Sequence, residues 1–129
     1  MSLTRVAGGH SGGWSAQIAN TGSTAQTCTL DDSPKAVGKT SAGTYTASLW
    51  VRGGTAGATL TLRLQEVNGA TLVGSAAATL VLSTSWQLIT VSYSTLQPGK
   101  TALNFNAFVT GVPARTTAFY ADDAAIVLG

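Results

Sequence analysis

The feature that most constrains this chain is a two-residue hydrophobic period, interrupted at short intervals by turn-forming residues. Within 44–52, Tyr45, Ala47, Leu49 and Val51 alternate with Thr46, Ser48, Trp50 and Arg52. Within 59–65, Leu60, Leu62 and Leu64 alternate with Thr61, Arg63 and Gln65. Within 102–109, Leu103, Phe105, Ala107 and Val109 alternate with Asn104, Asn106 and Phe108. Successive side chains of a strand point to opposite faces, so this pattern specifies strands with one face buried. Residues 86–93 set Gln87, Ile89, Val91 and Tyr93 on one side, and shorter strands are expected at 14–18 and 26–30. Residues 72–82 read as one bent or two short strands, and 118–128 as a closing strand. Asn20-Thr21-Gly22, Gly53-Gly54 with Gly57, Asn68-Gly69 and Gln97-Pro98-Gly99-Lys100 are turn sequences, and Asp31-Asp32 before Ser33-Pro34 reads as another. The expected fold is an all-β antiparallel sandwich of eight or nine strands, a jelly roll, with Tyr45, Leu49, Leu60, Leu62, Leu64, Ile89, Val91, Leu103 and Phe105 in its core.

Length and composition narrow the function. The 129 residues suit one domain, 1–129, large enough to bury a core without metals or disulfides. Only 9% of residues are charged, while 44% are hydrophobic and the net charge is +2, which excludes a disordered polyelectrolyte. The bases Arg5, Lys35, Lys39, Arg52, Arg63, Lys100 and Arg115 are scattered, with no stripe to follow a nucleic-acid backbone. The uncharged run at 76–82 is far short of a membrane span. Cys28 stands alone in a strand pattern, as a small buried hydrophobe rather than half of a disulfide. Residues 1–5 lack the regions of a secretory signal, so for a secreted protein the signal is expected outside this chain.

The chemical inventory is poor in catalysts. His10 is the sole histidine and lies in Gly8-Gly9-His10-Ser11-Gly12-Gly13, where it reads first as a turn residue. The acids are Asp31, Asp32, Glu66, Asp122 and Asp123. Neighbouring acids on a strand point apart and do not form the facing pair of a glycosidase, so no enzyme activity is expected. Asp122-Asp123 interrupts an otherwise apolar closing strand and needs a cation or a set of backbone amides to balance it.

Three segments carry a family likeness in the right order: Ala42-Gly43-Thr44-Tyr45-Thr46-Ala47-Ser48-Leu49-Trp50-Val51-Arg52, Leu82-Ser83-Thr84-Ser85-Trp86-Gln87 and Phe119-Tyr120-Ala121-Asp122-Asp123-Ala124-Ala125-Ile126. With His10-Ser11-Gly12 ahead of a short strand, they resemble carbohydrate-binding modules of families 4, 9, 16 and 22, which share a galactose-binding-like β-jelly roll. The resemblance covers 10–128. It implies noncatalytic polysaccharide binding, commonly as an appendage of a secreted glycoside hydrolase or polysaccharide lyase. The family's opening strand, of the type Asn-Pro-Gly-Phe-Glu, has no counterpart in residues 1–9, so either the chain begins after it or residues 3–7 replace it.

The resemblance also places a ligand groove on the sheet formed by 26–30, 59–66 and 103–109, which nominates Arg63, Gln65, Asn104, Asn106 and Gln26 (or Thr27) as ligand-binding residues. Sugar sites pair such groups with aromatic platforms. Trp86 matches a structural tryptophan, while Trp14, on the parity of Ala16 and Ile18, and Trp50, beside Arg52, remain ligand candidates. The resemblance further implies a structural calcium ion at Asp122 and Asp123, completed by carbonyls from His10 to Gly12; without an ion, Asp123 is expected to accept backbone N–H groups of that turn. A polysaccharide or oligosaccharide partner, no nucleic acid, no membrane and a monomeric state are the remaining expectations. The alternative is a sandwich used as a spacer or adhesion domain of a surface or phage protein.

Overall fold

The structure is a computed structural model that describes residues 1–31, 37–54 and 56–129. It contains the strands β1 (Ser2–Ala7), β2 (Trp14–Asn20), β3 (Gln26–Asp31), β4 (Thr44–Gly53), β5 (Thr59–Asn68), β6 (Thr71–Val81), β7 (Gln87–Ser94), β8 (Ala102–Val112) and β9 (Thr116–Leu128). They form two antiparallel sheets, one in the order β1-β2-β9-β4-β7 and the other in the order β3-β8-β5-β6. The all-β sandwich expected from the alternation is therefore observed.

Each sheet turns one face inward. Leu60, Leu62 and Leu64 of β5 and Leu103, Ala107 and Val109 of β8 meet Ile18, Leu49, Val51 and Phe119 of the other sheet in one buried cluster. All nine residues assigned to the core from the alternation are buried, Phe105 at 9% being among the most exposed of them. β4 and β5, on either side of the glycine-rich segment, lie in different sheets. Gly57 takes a φ of +105° there, a conformation that favours glycine. Residues 71–81 form one strand with a bulge rather than two strands. Residues 2–7 pair with β2 from Ser2–Ala19 to Ala7–Trp14, so a strand does occupy the opening position. Asp31 ends β3, whereas the Asp32-Ser33-Pro34 part of the expected turn lies outside the described residues.

Buried polar groups close the two ends. At one, Asn20 Nδ2 donates to the carbonyls of Thr24 and Val112, both at 2.9 Å, and its Oδ1 accepts from Gly22 N–H. At the other, Glu66 is fully buried and accepts four hydrogen bonds, from Tyr93 Oη (2.7 Å), Leu96 N (2.8 Å), Gln97 N (2.9 Å) and Thr101 Oγ1 (2.6 Å). Burial alone would raise its carboxyl pKa, but these donors outweigh it and bring it down to about 2. Burial, together with the same contact, pushes the Tyr93 hydroxyl up to about 12.

A carboxyl with a lower pKa in the folded chain stabilises the fold above its unfolded pKa, and that contribution is lost as pH falls through the folded value. Thermal melts from pH 7 to pH 2 should therefore show stability falling below about pH 4.5. Glu66→Gln should lower Tm at pH 7 and flatten the acid limb; an acid limb unchanged in that variant would contradict this role.

Candidate functional site

The outer faces of the two sheets differ in chemistry, and strand register decides what each brings together. On the four-stranded sheet, Asp31 of β3 lies opposite Asn106 of β8, Asn106 opposite Arg63 of β5, and Arg63 opposite Ala77 of β6. This is one straight row across four strands. Beside it run the rows Thr29–Phe108–Thr61–Thr79 and Asn104–Gln65–Ser75. Strands spaced by about 4.8 Å place Asp31 and Arg63 roughly 10 Å apart along the row. Arg63 Nε donates to Asn106 Oδ1 at 3.1 Å, and the guanidinium carbon lies 5.0 Å from the centroid of the Phe108 ring.

The residues nominated from the sequence on these two strands, Arg63, Gln65, Asn104 and Asn106, thus share one face. Asn106 is nonetheless only 6% exposed, because it sits in the floor beneath its neighbours rather than projecting freely as its outward parity suggests. Gln26 does not join them. It pairs with Val112 at the far end of β3, where the ladder shifts, and its amide donates to Asn20 Oδ1. Phe108 and Asp31 are the members that sequence reasoning missed. The parity of Phe108 was legible, whereas Asp31 needed the β3–β8 register.

On the five-stranded sheet the aromatic side chains already have partners. The His10 ring stacks on Trp50 at 3.7 Å between centroids, 13° from parallel, and meets Trp86 edge-on at 6.2 Å. The Arg52 guanidinium lies 3.8 Å from the Tyr120 centroid and 5.4 Å from that of Trp86. Gln17 Nε2 donates to the hydroxyls of Thr117 (3.1 Å) and Tyr120 (3.3 Å). Trp50 therefore lies on the sheet opposite the polar row, with one ring face covered. Trp14 lies on a third surface. It is 53% exposed, although its parity is that of the buried Ile18, has Arg5 4.1 Å over its ring, and lines an open pocket of about 390 Å³ with Leu3, Ala16 and Leu30.

The stacked histidine belongs to a clasp between the β1–β2 turn and β9. Opposite Leu49 the β9 register shifts, and Asp123 takes a φ of +50°, so both acids reach the turn instead of pointing apart. Asp122 Oδ2 accepts the backbone N–H of His10 (2.9 Å) and of Ser11 (3.5 Å). Asp123 Oδ2 pairs with His10 Nδ1 and its Oδ1 accepts Ser11 Oγ, both at 2.8 Å. These two bonds hold the Asp123 carboxyl below the usual aspartate range. Asp122, not Asp123, thus receives the backbone amides. A calcium site needs carboxylate and carbonyl oxygens converging on one point. Here the turn presents donors to the carboxylates, and the Gly12 carbonyl accepts Gly9 N–H at 3.1 Å. Among the described residues no three His, Cys, Asp or Glu side chains converge as a metal set. The arrangement at His10, Gly12, Asp122 and Asp123 does not fit the ion.

No family model matches the chain, and no curated protein matches it. Solved structures do. A family 61 carbohydrate-binding module in complex with β-1,4-galactotriose superposes with a TM-score of 0.64 at 11% identity, over 98% of this chain and 82% of that one. The fold is a jelly-roll β-sandwich, like that module's. A family 11 module from Clostridium thermocellum, in complex with a β-1,3-1,4-mixed-linked tetrasaccharide, gives 0.60 at 16% identity over 99% and 82%. The CBM22-1 and GH10 modules of Clostridium thermocellum endo-1,4-β-D-xylanase 10B, complexed with xylohexaose, give 0.61 at 22% identity; this chain is 98% covered but spans only 24% of that one. At these identities the likeness establishes the jelly roll that the sequence segments suggested.

The clasp generates a test. His10→Ala removes a ring stack of the kind worth about 0.5–1.5 kcal/mol, and should lower Tm by roughly 2–5 °C. Melts recorded with a chelator and with added calcium should superimpose, and a Tm that rises with calcium would show that the carboxylates turn to an ion.

Proposed function

We propose that this chain binds a neutral polysaccharide without cleaving it, on the outer face of the four-stranded sheet. The observation that carries the reading is the Asp31–Asn106–Arg63 row, in register across three strands and flanked by Phe108. Carboxylate, amide and guanidinium groups in one row match the vicinal hydroxyls of a sugar, each accepting or donating at a fixed spacing. Phe108 supplies an apolar surface for the C–H face of a pyranose. Gln65, Asn104, Thr29 and Thr61 extend the polar surface on either side.

Noncatalytic binding is supported by the placement of three of the five acids. Glu66 is buried with both oxygens occupied, and Asp122 and Asp123 are engaged on the opposite sheet. The joining of a CBM22-1 module to a GH10 module in the xylanase supports a role as an appendage of a larger enzyme. The His10–Asp122–Asp123 clasp stands, in this reading, where an ion is expected from the resemblance.

With no tryptophan on the row, affinity should be weak, on the order of tens of micromolar to millimolar. Affinity electrophoresis against a panel of soluble β-glucans, xylans and galactans is the measurement. Arg63→Ala and Phe108→Ala should each reduce retardation several-fold, whereas Arg52→Ala should leave it unchanged. Retention of full binding by both row variants, with loss in Arg52→Ala, would move the site to the five-stranded sheet. Asn106→Ala should lower Tm as well as affinity, because its amide is buried under Arg63.

A further inference from the structure

The edges of the two sheets are not alike. On one flank β1 carries Arg5 and β3 carries Asp31. On the other, β6 (TLVGSAAATLV) and β7 (QLITVSYS) hold no charged residue and no proline. β6 packs on β7, with Gly74 against the Tyr93 hydroxyl, so both edges lie on one side of the sandwich. Among the described residues no strand pairs with the outer edge of β6, and Leu72 and Val81 near its ends are 54% and 61% exposed. Sheet proteins guard such edges with lysine, proline, central bulges or short length. β6 is 11 residues long, and its one register shift, opposite Glu66 and Val67, leaves 74–80 regular.

The regular stretch is self-complementary. Antiparallel pairing about a two-fold axis at Ala77 sets Ala76 against Ala78 and Ser75 against Thr79 of a second copy. Small side chains thus meet on the inner side, and two hydroxyls meet on the outer face. No like charges oppose one another along the strand, and a net charge of +2 per chain adds little repulsion.

We propose that two copies of this chain pair edge to edge through β6, forming one continuous sheet of eight strands. A two-fold axis perpendicular to the sheet keeps both outer faces on the same side. Because Arg63 is in register with Ala77, the axis lies on the polar row itself, and the two rows become one line: Asp31, Asn106, Arg63 and Ala77, then Ala77, Arg63, Asn106 and Asp31 of the partner copy. The two Arg63 residues stand three strand spacings apart, roughly 14 Å. The small Ala77 pair at the centre leaves the path between them open. This departs from the monomeric state expected at the outset. The pairing rests on β6; only its consequence, that one long glycan can span both rows and gain from avidity, rests on the proposed binding face.

Sedimentation equilibrium over a range of concentrations tests the pairing, with a reversible species of twice the 13.0 kDa chain mass expected. Ala77→Lys sets two ammonium groups opposite each other at the axis and should raise the dissociation constant at least about tenfold with an unchanged Tm in dilute solution. Thr90→Lys on the neighbouring β7 should leave association intact. Ala77→Cys gives the register: directly opposed residues lie within disulfide range, so added diamide, reduced as the two thiols are oxidised, should link the copies. Thr79→Cys should link poorly, and buried Cys28 does not compete. A single-chain mass at all concentrations, or dimers abolished by Thr90→Lys but not by Ala77→Lys, would overturn the proposal. Both results are independent of whether any glycan binds.

Discussion

Everything else in this molecule depends on the packing of Leu60, Leu62 and Leu64 against the opposite sheet. Three leucines at alternate positions bury the inner face of β5 completely, and burial of each contributes roughly 1.5–3 kcal/mol. That anchor fixes which side of β5 faces solvent, because a slip of one residue would turn every leucine outward. With β5 held, its ladder to β8 places Arg63 beside Asn106, and the β8 ladder to β3 places Asn106 beside Asp31. The row proposed to meet sugar is thus set by the core on its far side.

The polar groups at the ends and on the five-stranded sheet serve this arrangement differently. Glu66 and Asn20 gather loop amides and hydroxyls at the two ends, where strand ladders no longer satisfy them. The clasp of His10 and Ser11 on Asp122 and Asp123 pins the β1–β2 turn to β9. Cations or imidazole cover Trp14, Trp50 and Tyr120 on at least one ring face each. The Arg63 guanidinium lies over Phe108 in the same way, so what turns attention from the tryptophans to Phe108 is its place beside the polar row.

The inner residues were legible because a period of two is a direct image of a half-buried strand, and the same parity exposed Arg63, Gln65, Asn104 and Phe108. Three things were not legible. Gln26 shares the parity of the buried Cys28 and lies past the shift in the β3–β8 ladder, where its amide meets Asn20 rather than the row. Asp31 reads as a turn residue and becomes part of the row only through long-range register. Asp123 has a positive φ, which no local pattern announces for an aspartate, and this alone lets adjacent acids act together. Parity is a local property, whereas register and bulges are set by partners far along the chain.

Sugar is proposed to contact the outer face of the four-stranded sheet. Backbone amide NMR of the labelled chain, titrated with whichever oligosaccharide series gives retardation, tests it residue by residue. Shifts should cluster at Thr29, Asp31, Thr61, Arg63, Gln65, Asn104, Asn106 and Phe108, with His10, Trp50, Trp86 and Tyr120 unmoved. Shifts confined to His10, Trp50, Trp86 and Tyr120, or to the pocket beside Trp14, would contradict it.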